Sequence, residues 1–234
     1  MRLENLKYLP KTYWLVIVLF AVFIAQVVAI LVEVPFTEVL VLDPAAVVHG
    51  QALWGIFTNM FIHWPGGISH IFFNCFALFI FGTALERIIG GKNLLKVFIA
   101  SGLFASLFYL VTALFILGST TPVLGASGAI FGVIGAMVAL RPHTKVMMLF
   151  LPGITFSLWM LAVFFVIIAL LWFGVGGGTG IAENAHLGGL ILGFVLGRHY
   201  KAKEKGDPDF QWRAVYGEPE TGGNDPYAWV DEYR

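Results

Sequence analysis

Gly125-Ala126-Ser127-Gly128-Ala129-Ile130-Phe131-Gly132-Val133-Ile134-Gly135 reads as a helix that is apolar throughout except for one hydroxyl, that of Ser127. Glycines and alanines frame that hydroxyl. Small residues spaced four apart let membrane helices approach one another, so one reading of the stretch is a packing face. The other is a serine nucleophile cleared of bulk, so that other groups and a peptide can reach it. The residues around it have to decide between the two.

Working outward, the stretch sits in a chain of 234 residues, a length that suits one domain. Hydrophobic residues make up 59% and charged ones 12%, against roughly 45–50% and 25% in soluble domains. A single core of this size cannot hide that excess, and lipid has to solvate it. The net charge of zero gives no electrostatic footprint for nucleic acid. The one cysteine, Cys75, excludes an internal disulfide and reads as a small apolar residue.

The opening stretch is the fourth of six apolar spans, and it ends at Arg141-Pro142. Thr12 to Val32 is an uncharged run of 21 residues, long enough to cross a bilayer, which takes about 20. It is longer than the core of a signal peptide and lacks a small-residue cleavage site, so it reads as a retained helix. His70 to Ile89 and Leu94 to Leu117 are the second and third spans. After a short apolar piece, Val146 to Leu151, halted by Pro152-Gly153, the fifth runs from Ile154 to Phe173. The sixth runs from about Asn184 to Tyr200. Glu33 to Ser69 is apolar but broken by Pro35, Pro44 and Pro65. It is expected to be a long first loop lying partly in the membrane, with Trp54 and Trp64 at headgroup depth. The fold class that follows is an all-α membrane protein, with residues 1–200 as the six-helix domain and 201–234 as a polar tail.

Orientation follows from the cations. All 14 Lys and Arg fall before the first span, around the junction of the second and third, around the junction of the fourth and fifth, or around and beyond the end of the sixth. The other three loops (33–69, 118–124 and 174–183) hold none. Lys and Arg are retained on the cytoplasmic side. A multi-pass protein of the cell membrane with both termini in the cytoplasm is therefore expected.

Polar groups inside spans are costly and are functional candidates by default. Four stand out: His70 and Asn74 on span two, Ser127 on span four and His186 on span six. Each of these spans runs inward to an arginine, at Arg87, Arg141 and Arg198. Counting back at 1.5 Å per residue puts Asn74, Ser127 and His186 about 20, 21 and 18 Å above those anchors, with His70 one turn higher. The four share one layer in the outer half of the membrane. A serine and a histidine at one depth can act as nucleophile and general base. The Asn74 amide, a His70 ring N–H and the Ser127 backbone N–H are suitable donors for a developing oxyanion. Phe131, four residues beyond Ser127, is placed to pack on the His186 ring. No Asp lies in a span and Glu183 falls at a loop end, so a Ser–His dyad is the expected form. The series Ala185, Gly189, Gly193, Gly197 is a packing stripe that would bring His186 close to span four.

Gly125-Ala126-Ser127-Gly128, taken with Ala185-His186-Leu187-Gly188-Gly189 and Gly193 beyond it, resembles the rhomboid family of intramembrane serine proteases. His70-Ile71-Phe72-Phe73-Asn74 is similar to that family's H-x-x-x-N element, and Gly82-Thr83-Ala84-Leu85-Glu86-Arg87 to its G-x-x-x-E-x ending. The likeness covers about residues 12–200, with the three motifs in order on the matching spans. It implies a rhomboid-like bundle with a membrane-embedded first loop. Ser127 would be the nucleophile and His186 the base, supported at the oxyanion by His70, Asn74 and the Ser127 amide, with Gly125 in the same supporting set. Phe131 would stand where many members have a tyrosine on the catalytic histidine. The family's frequent Trp-Arg pair reads Trp54-Gly55 here, a departure that touches the anchoring of the first loop and not the chemistry. No cofactor is implied, and the partners would be the lipid bilayer and membrane proteins with a transmembrane segment.

Other functions remain open on the sequence. A rhomboid-like protein that binds membrane helices without cutting them would be expected to lack Ser127 or His186, and both are present. A small transporter would show inverted repeats and a charged group deep in a span, and neither is evident. His63, which reads as an interfacial loop residue, could join His70 and His186 at a metal. Against that, no H-E-x-x-H and no well-placed carboxylate are present, so no metal is expected.

Overall fold

A computed structural model of the chain describes residues 9–147, 153–172, 183–207 and 210. Helix α1 (Lys11–Leu31) leads into three short helices, α2 (Phe36–Leu40), α3 (Pro44–Val48) and α4 (Gly55–Thr58). Helix α5 (Ile68–Ala77) continues through a π-helical turn (Leu78–Gly82) into α6 (Thr83–Ile89). Helix α7 (Gly91–Thr112) ends in a second π turn (Ala113–Leu117), and α8 spans Ser127–Leu140. A two-stranded hairpin, β1 (Lys145–Met147) and β2 (Thr155–Ser157), pairs Val146 with Phe156. Helices α9 (Leu158–Trp172) and α10 (Glu183–Gly206) follow.

Among the described residues, three stretches are long and apolar enough to cross a membrane: Lys11–Leu31, Ile68–Ile89 and Gly91–Leu117. Their outward faces carry exposed Ile24, Leu31, Ile68 and Phe115, an apolar surface of the kind that water does not tolerate over large areas. Helix α8 is different, because it is buried almost all round. It is the central post of the bundle, and its glycines explain how. A methyl group on Gly132 would overlap Ser101 of α7, and one on Gly128 would come 2.7 Å from Ala105 Cβ. On the other side, Gly189, Gly193 and Gly197 of α10 lie against the backbone of Gly128, Gly132 and Ala136, one per turn. The glycine stripe of the sixth apolar segment thus sets α10 directly on α8, backbone to backbone.

Buried polar contacts fasten the remaining parts. Glu86 accepts hydrogen bonds from Lys11 N (2.6 Å), Thr12 N (2.9 Å) and Thr12 Oγ1 (2.7 Å), capping α1 from another helix where its N–H groups lack intrahelical partners. At the far end of α8, the Arg141 guanidinium forks onto both carboxylate oxygens of Glu204, with Nη1 to Oε2 at 2.9 Å. The Arg141 guanidinium in turn holds the Glu204 carboxyl below the usual carboxylate range.

The segment between α1 and α5 is anchored at several points. Gln26, fully buried on α1, donates to the His63 carbonyl (2.9 Å) and accepts from the His63 N–H (2.9 Å). Trp54 Nε1 donates to Val39 O (2.7 Å), and Thr58 Oγ1 to Leu40 O (2.7 Å). Gly55 has no room for a side chain, since a Cβ there would meet the Val41 carbonyl. A side chain at this position would require the backbone of 41–42 to move.

Some elements differ from the reading of the sequence. The fifth apolar segment begins as a strand, and its helix starts four residues later, at Leu158. The last helix continues past Tyr200 to Gly206, because Lys201 to Gly206 carries no residue that stops a helix before its terminal glycine. His63, in the first loop, is fully buried within the protein. The glycine-rich turn at 174–180, the piece at 148–152 and the tail from 211 lie outside the described residues.

Candidate active site

Helix α8 does not begin where its apolar run begins. Val123 pairs with Leu42 in an antiparallel bridge, which ties the segment before α8 to the loop that follows α2. Gly125 adopts φ +127°, a conformation that glycine takes at little cost, and its N–H donates to Asn59 O (2.9 Å). The helix then starts at Ser127 itself. Ser127 is therefore both a half-buried hydroxyl and the first residue of a helix, whose opening N–H groups have no intrahelical acceptor.

Opposite it, the glycine stripe brings α10 against α8 and delivers His186. Its Nε2 lies 2.7 Å from Ser127 Oγ, within range for direct proton transfer. The Phe131 ring, one turn along α8, stacks on the His186 imidazole with centroids 4.4 Å apart and planes at 11°. Phe165 of α9 closes on Phe131 edge-on, at 4.8 Å.

His70 approaches from α5. Its Nδ1 accepts the Trp64 N–H at 3.2 Å, which leaves Nε2 as the N–H of the neutral ring. That Nε2 lies beside Gly125, only 3.0 Å from where a Cβ would be. Gly125 thus has two reasons to be glycine, its φ and the His70 ring. Asn74 is buried nearby, but its amide donates to His70 O (2.8 Å) on its own helix. Of the two side-chain donors read from the sequence, His70 has its Nε2 beside Gly125, two residues before the serine, and Asn74 is turned back onto its own helix.

Four further residues take part in the site or its support. His63 stacks edge-on against His70 at 5.1 Å, and its Nε2 faces the Ala126 N–H at 3.5 Å. Burial, and next the adjacent His70, push the His63 imidazole down to about 3, with the Phe61 carbonyl acting weakly the other way. It is neutral, as an acceptor of an N–H must be. Glu183, set aside as a loop residue, places Oε2 3.3 Å from His186 Nδ1. Gln26 is an amide inside a span, the same signal that marked Asn74. Asn59 had only its place in a broken apolar loop to mark it. It binds Ser106 Oγ (2.9 Å) on α7 through its amide and Gly125 through its carbonyl.

A cavity of about 470 Å³ reaches this group between α5 and α9, lined by Phe73, Ile130, Phe164, Ser127, Glu183 and His186. Phe73 and Phe164 are also exposed on the apolar outer surface, so the cavity opens sideways. A hydroxyl next to an imidazole base, with helix and imidazole N–H donors beside it, is equipped to attack a carbonyl carbon. The cavity would deliver an apolar chain to it.

A family model described as Rhomboid domain matches residues 50–202, well over half of the chain. No curated protein matches it.

Proposed function

The chain belongs to the rhomboid family, and from that premise we propose that it is an intramembrane serine endopeptidase. It hydrolyses peptide bonds in or near transmembrane segments of membrane proteins. The observation that carries this reading is the 2.7 Å contact between His186 Nε2 and Ser127 Oγ, at the inner end of a cavity open to the apolar surface.

The steps follow from the groups present. Ser127 Oγ bonds the scissile carbonyl carbon while its proton passes to His186 Nε2. The oxyanion faces the Ser127 backbone N–H and His70 Nε2–H, donors fixed before reaction and so costing no reorganisation. Collapse breaks the C–N bond, and the imidazolium returns its proton to the leaving amine. An acyl ester remains on Ser127. Water then adds to it, giving its proton to His186, and Ser127 Oγ leaves with that proton. Phe131 holds the imidazole by its face and supplies no hydroxyl. Asn74 supports the site through the His70 backbone. A helical peptide bond has its carbonyl engaged in a hydrogen bond, so the substrate unwinds as it enters between α5 and α9.

The same reading gives the chain six spans in the cell membrane, with both termini cytoplasmic. Residues 1–200 form the catalytic domain and 201–234 its cytoplasmic tail. The placement of every Lys and Arg supports it. So does α8, whose 14 residues measure only about 21 Å; anchored at Arg141, it starts at Ser127 below the outer surface.

The test is cleavage of a single-span test protein by the purified chain in liposomes. Cleavage by the wild type that is lost in both Ser127→Ala and His186→Ala is expected. No cleavage by the wild type would leave a helix-binding protein without catalysis.

A further inference from the structure

We infer that Glu183 is a positioning residue for His186, so that the reacting pair is the end of a three-membered chain, Ser127–His186–Glu183. The inference rests on the protease reading above and deepens it.

Glu183 opens α10, and His186 is three residues on, so both lie on one helix face. Glu183 Oε2 is 3.3 Å from His186 Nδ1, and His186 Nε2 is 2.7 Å from Ser127 Oγ. The imidazole is held between carboxylate and hydroxyl, with side chains only 14% and 17% exposed for His186 and Glu183. A neutral imidazole carries one N–H. An ionised carboxylate can only accept, so it keeps that hydrogen on Nδ1 and leaves the Nε2 lone pair facing the serine hydroxyl. Phe131 orients the plane of the ring but has no polar atom with which to choose the tautomer. His70 on α5 also interacts electrostatically with His186, and an imidazole cannot balance a cation.

The carboxylate acts when charge appears. As Ser127 Oγ bonds the carbonyl carbon, its proton moves to Nε2 and the ring becomes an imidazolium. Its Nδ1–H then faces the Glu183 carboxylate. The positive charge forms beside its counterion inside a poorly solvated cleft, where that pairing matters more than in water. A hydrogen bond that is long in the resting protein tightens at this step.

A purely structural role predicts something else. An acid in the first turn of a helix interacts favourably with its dipole, and losing it would weaken α10 without a specific effect on acylation. Glu183 also lines the cavity, and a residue that touched substrate would alter KM.

The experiment uses the full chain in liposomes with Glu183→Gln and Glu183→Asp. It follows kcat and KM on the single-span test protein, the rate of Ser127 labelling by a fluorophosphonate, and the thermal midpoint. Glu183→Gln should lower kcat and the labelling rate by about tenfold or more, with KM and midpoint unchanged, and Glu183→Asp should restore part of the loss. Labelling of Glu183→Gln at the wild-type rate overturns the inference. So does a loss that tracks the midpoint, or a change in KM alone. Wild-type protein that neither cleaves nor labels overturns the protease reading itself, which keeps the two failures distinct.

Discussion

Gly193 of α10 lies so close to the carbonyl oxygen of Gly132 on α8 that a methyl group on Gly193 would overlap it. The overlap is with backbone, which cannot rotate away. Gly193→Ala must therefore push the two helices apart, and Ser127 and His186 with them. Overpacking of this kind costs about 1–3 kcal/mol. The thermal midpoint in detergent should fall, and activity should fall further than the midpoint alone explains at assay temperature. An alanine variant with wild-type stability and turnover would show that the helices are not in backbone contact.

Gln26 exchanges two hydrogen bonds with the backbone of His63. Gln26→Leu keeps the volume but strands a buried N–H and C=O, at about 1–3 kcal/mol for each group left unsatisfied. The loop between α1 and α5 should be cut faster in limited proteolysis, with a lower thermal midpoint. Unchanged cleavage in residues 33–69 would remove Gln26 as the anchor of that loop.

His63 sets a pH dependence. In the folded chain its imidazole titrates near 3, and unfolded it returns to about 6.5. Below 6.5 the unfolded chain therefore takes up a proton that the folded chain refuses. The stability from a neutral His63 is complete above pH 6.5 and is lost as pH falls toward 3, at about 1.4 kcal/mol per unit. His63→Gln has no such proton to take up, so its stability should fall less steeply between pH 6 and 4. Parallel slopes for the two proteins would contradict a buried neutral imidazole.

His70 and Asn74 should separate in kinetics. His70 Nε2–H faces the Gly125–Ser127 turn, whereas the Asn74 amide donates to His70 O. His70→Ala should lower kcat by about 10²–10³, the range for removing one oxyanion donor, with a smaller loss in Asn74→Ala. Equal or inverted losses would assign the donor role to the amide.

The parts of the fold set by bulk chemistry were legible in the residues. Uninterrupted apolar runs gave α1, α5–α6 and α7 to within a few residues, and the small residues at 189, 193 and 197 marked the α8–α10 contact. Lateral placement was not legible. Depth counting put His70, Asn74, Ser127 and His186 in one layer, but only folded geometry brings Ser127 to His186 and turns Asn74 aside. The positions of Glu183 beside His186 and of His63 in the interior were not legible, because both fall outside the apolar runs, where sequence alone treats a polar residue as solvated. One begins a helix three residues before its partner, and the other is carried inside by the fold of a long loop. The start of α8 at Ser127 depends on a bridge between Leu42 and Val123, residues too far apart in sequence for any local pattern to join them.

The most direct measurement is covalent labelling of the purified chain by a fluorophosphonate, with the modified residue located by mass spectrometry. Label on Ser127, abolished in Ser127→Ala and slowed at least about a hundredfold in His186→Ala, is the expected result. Label that persists in Ser127→Ala, or that forms at an unchanged rate without His186, would contradict a serine activated by its neighbouring histidine.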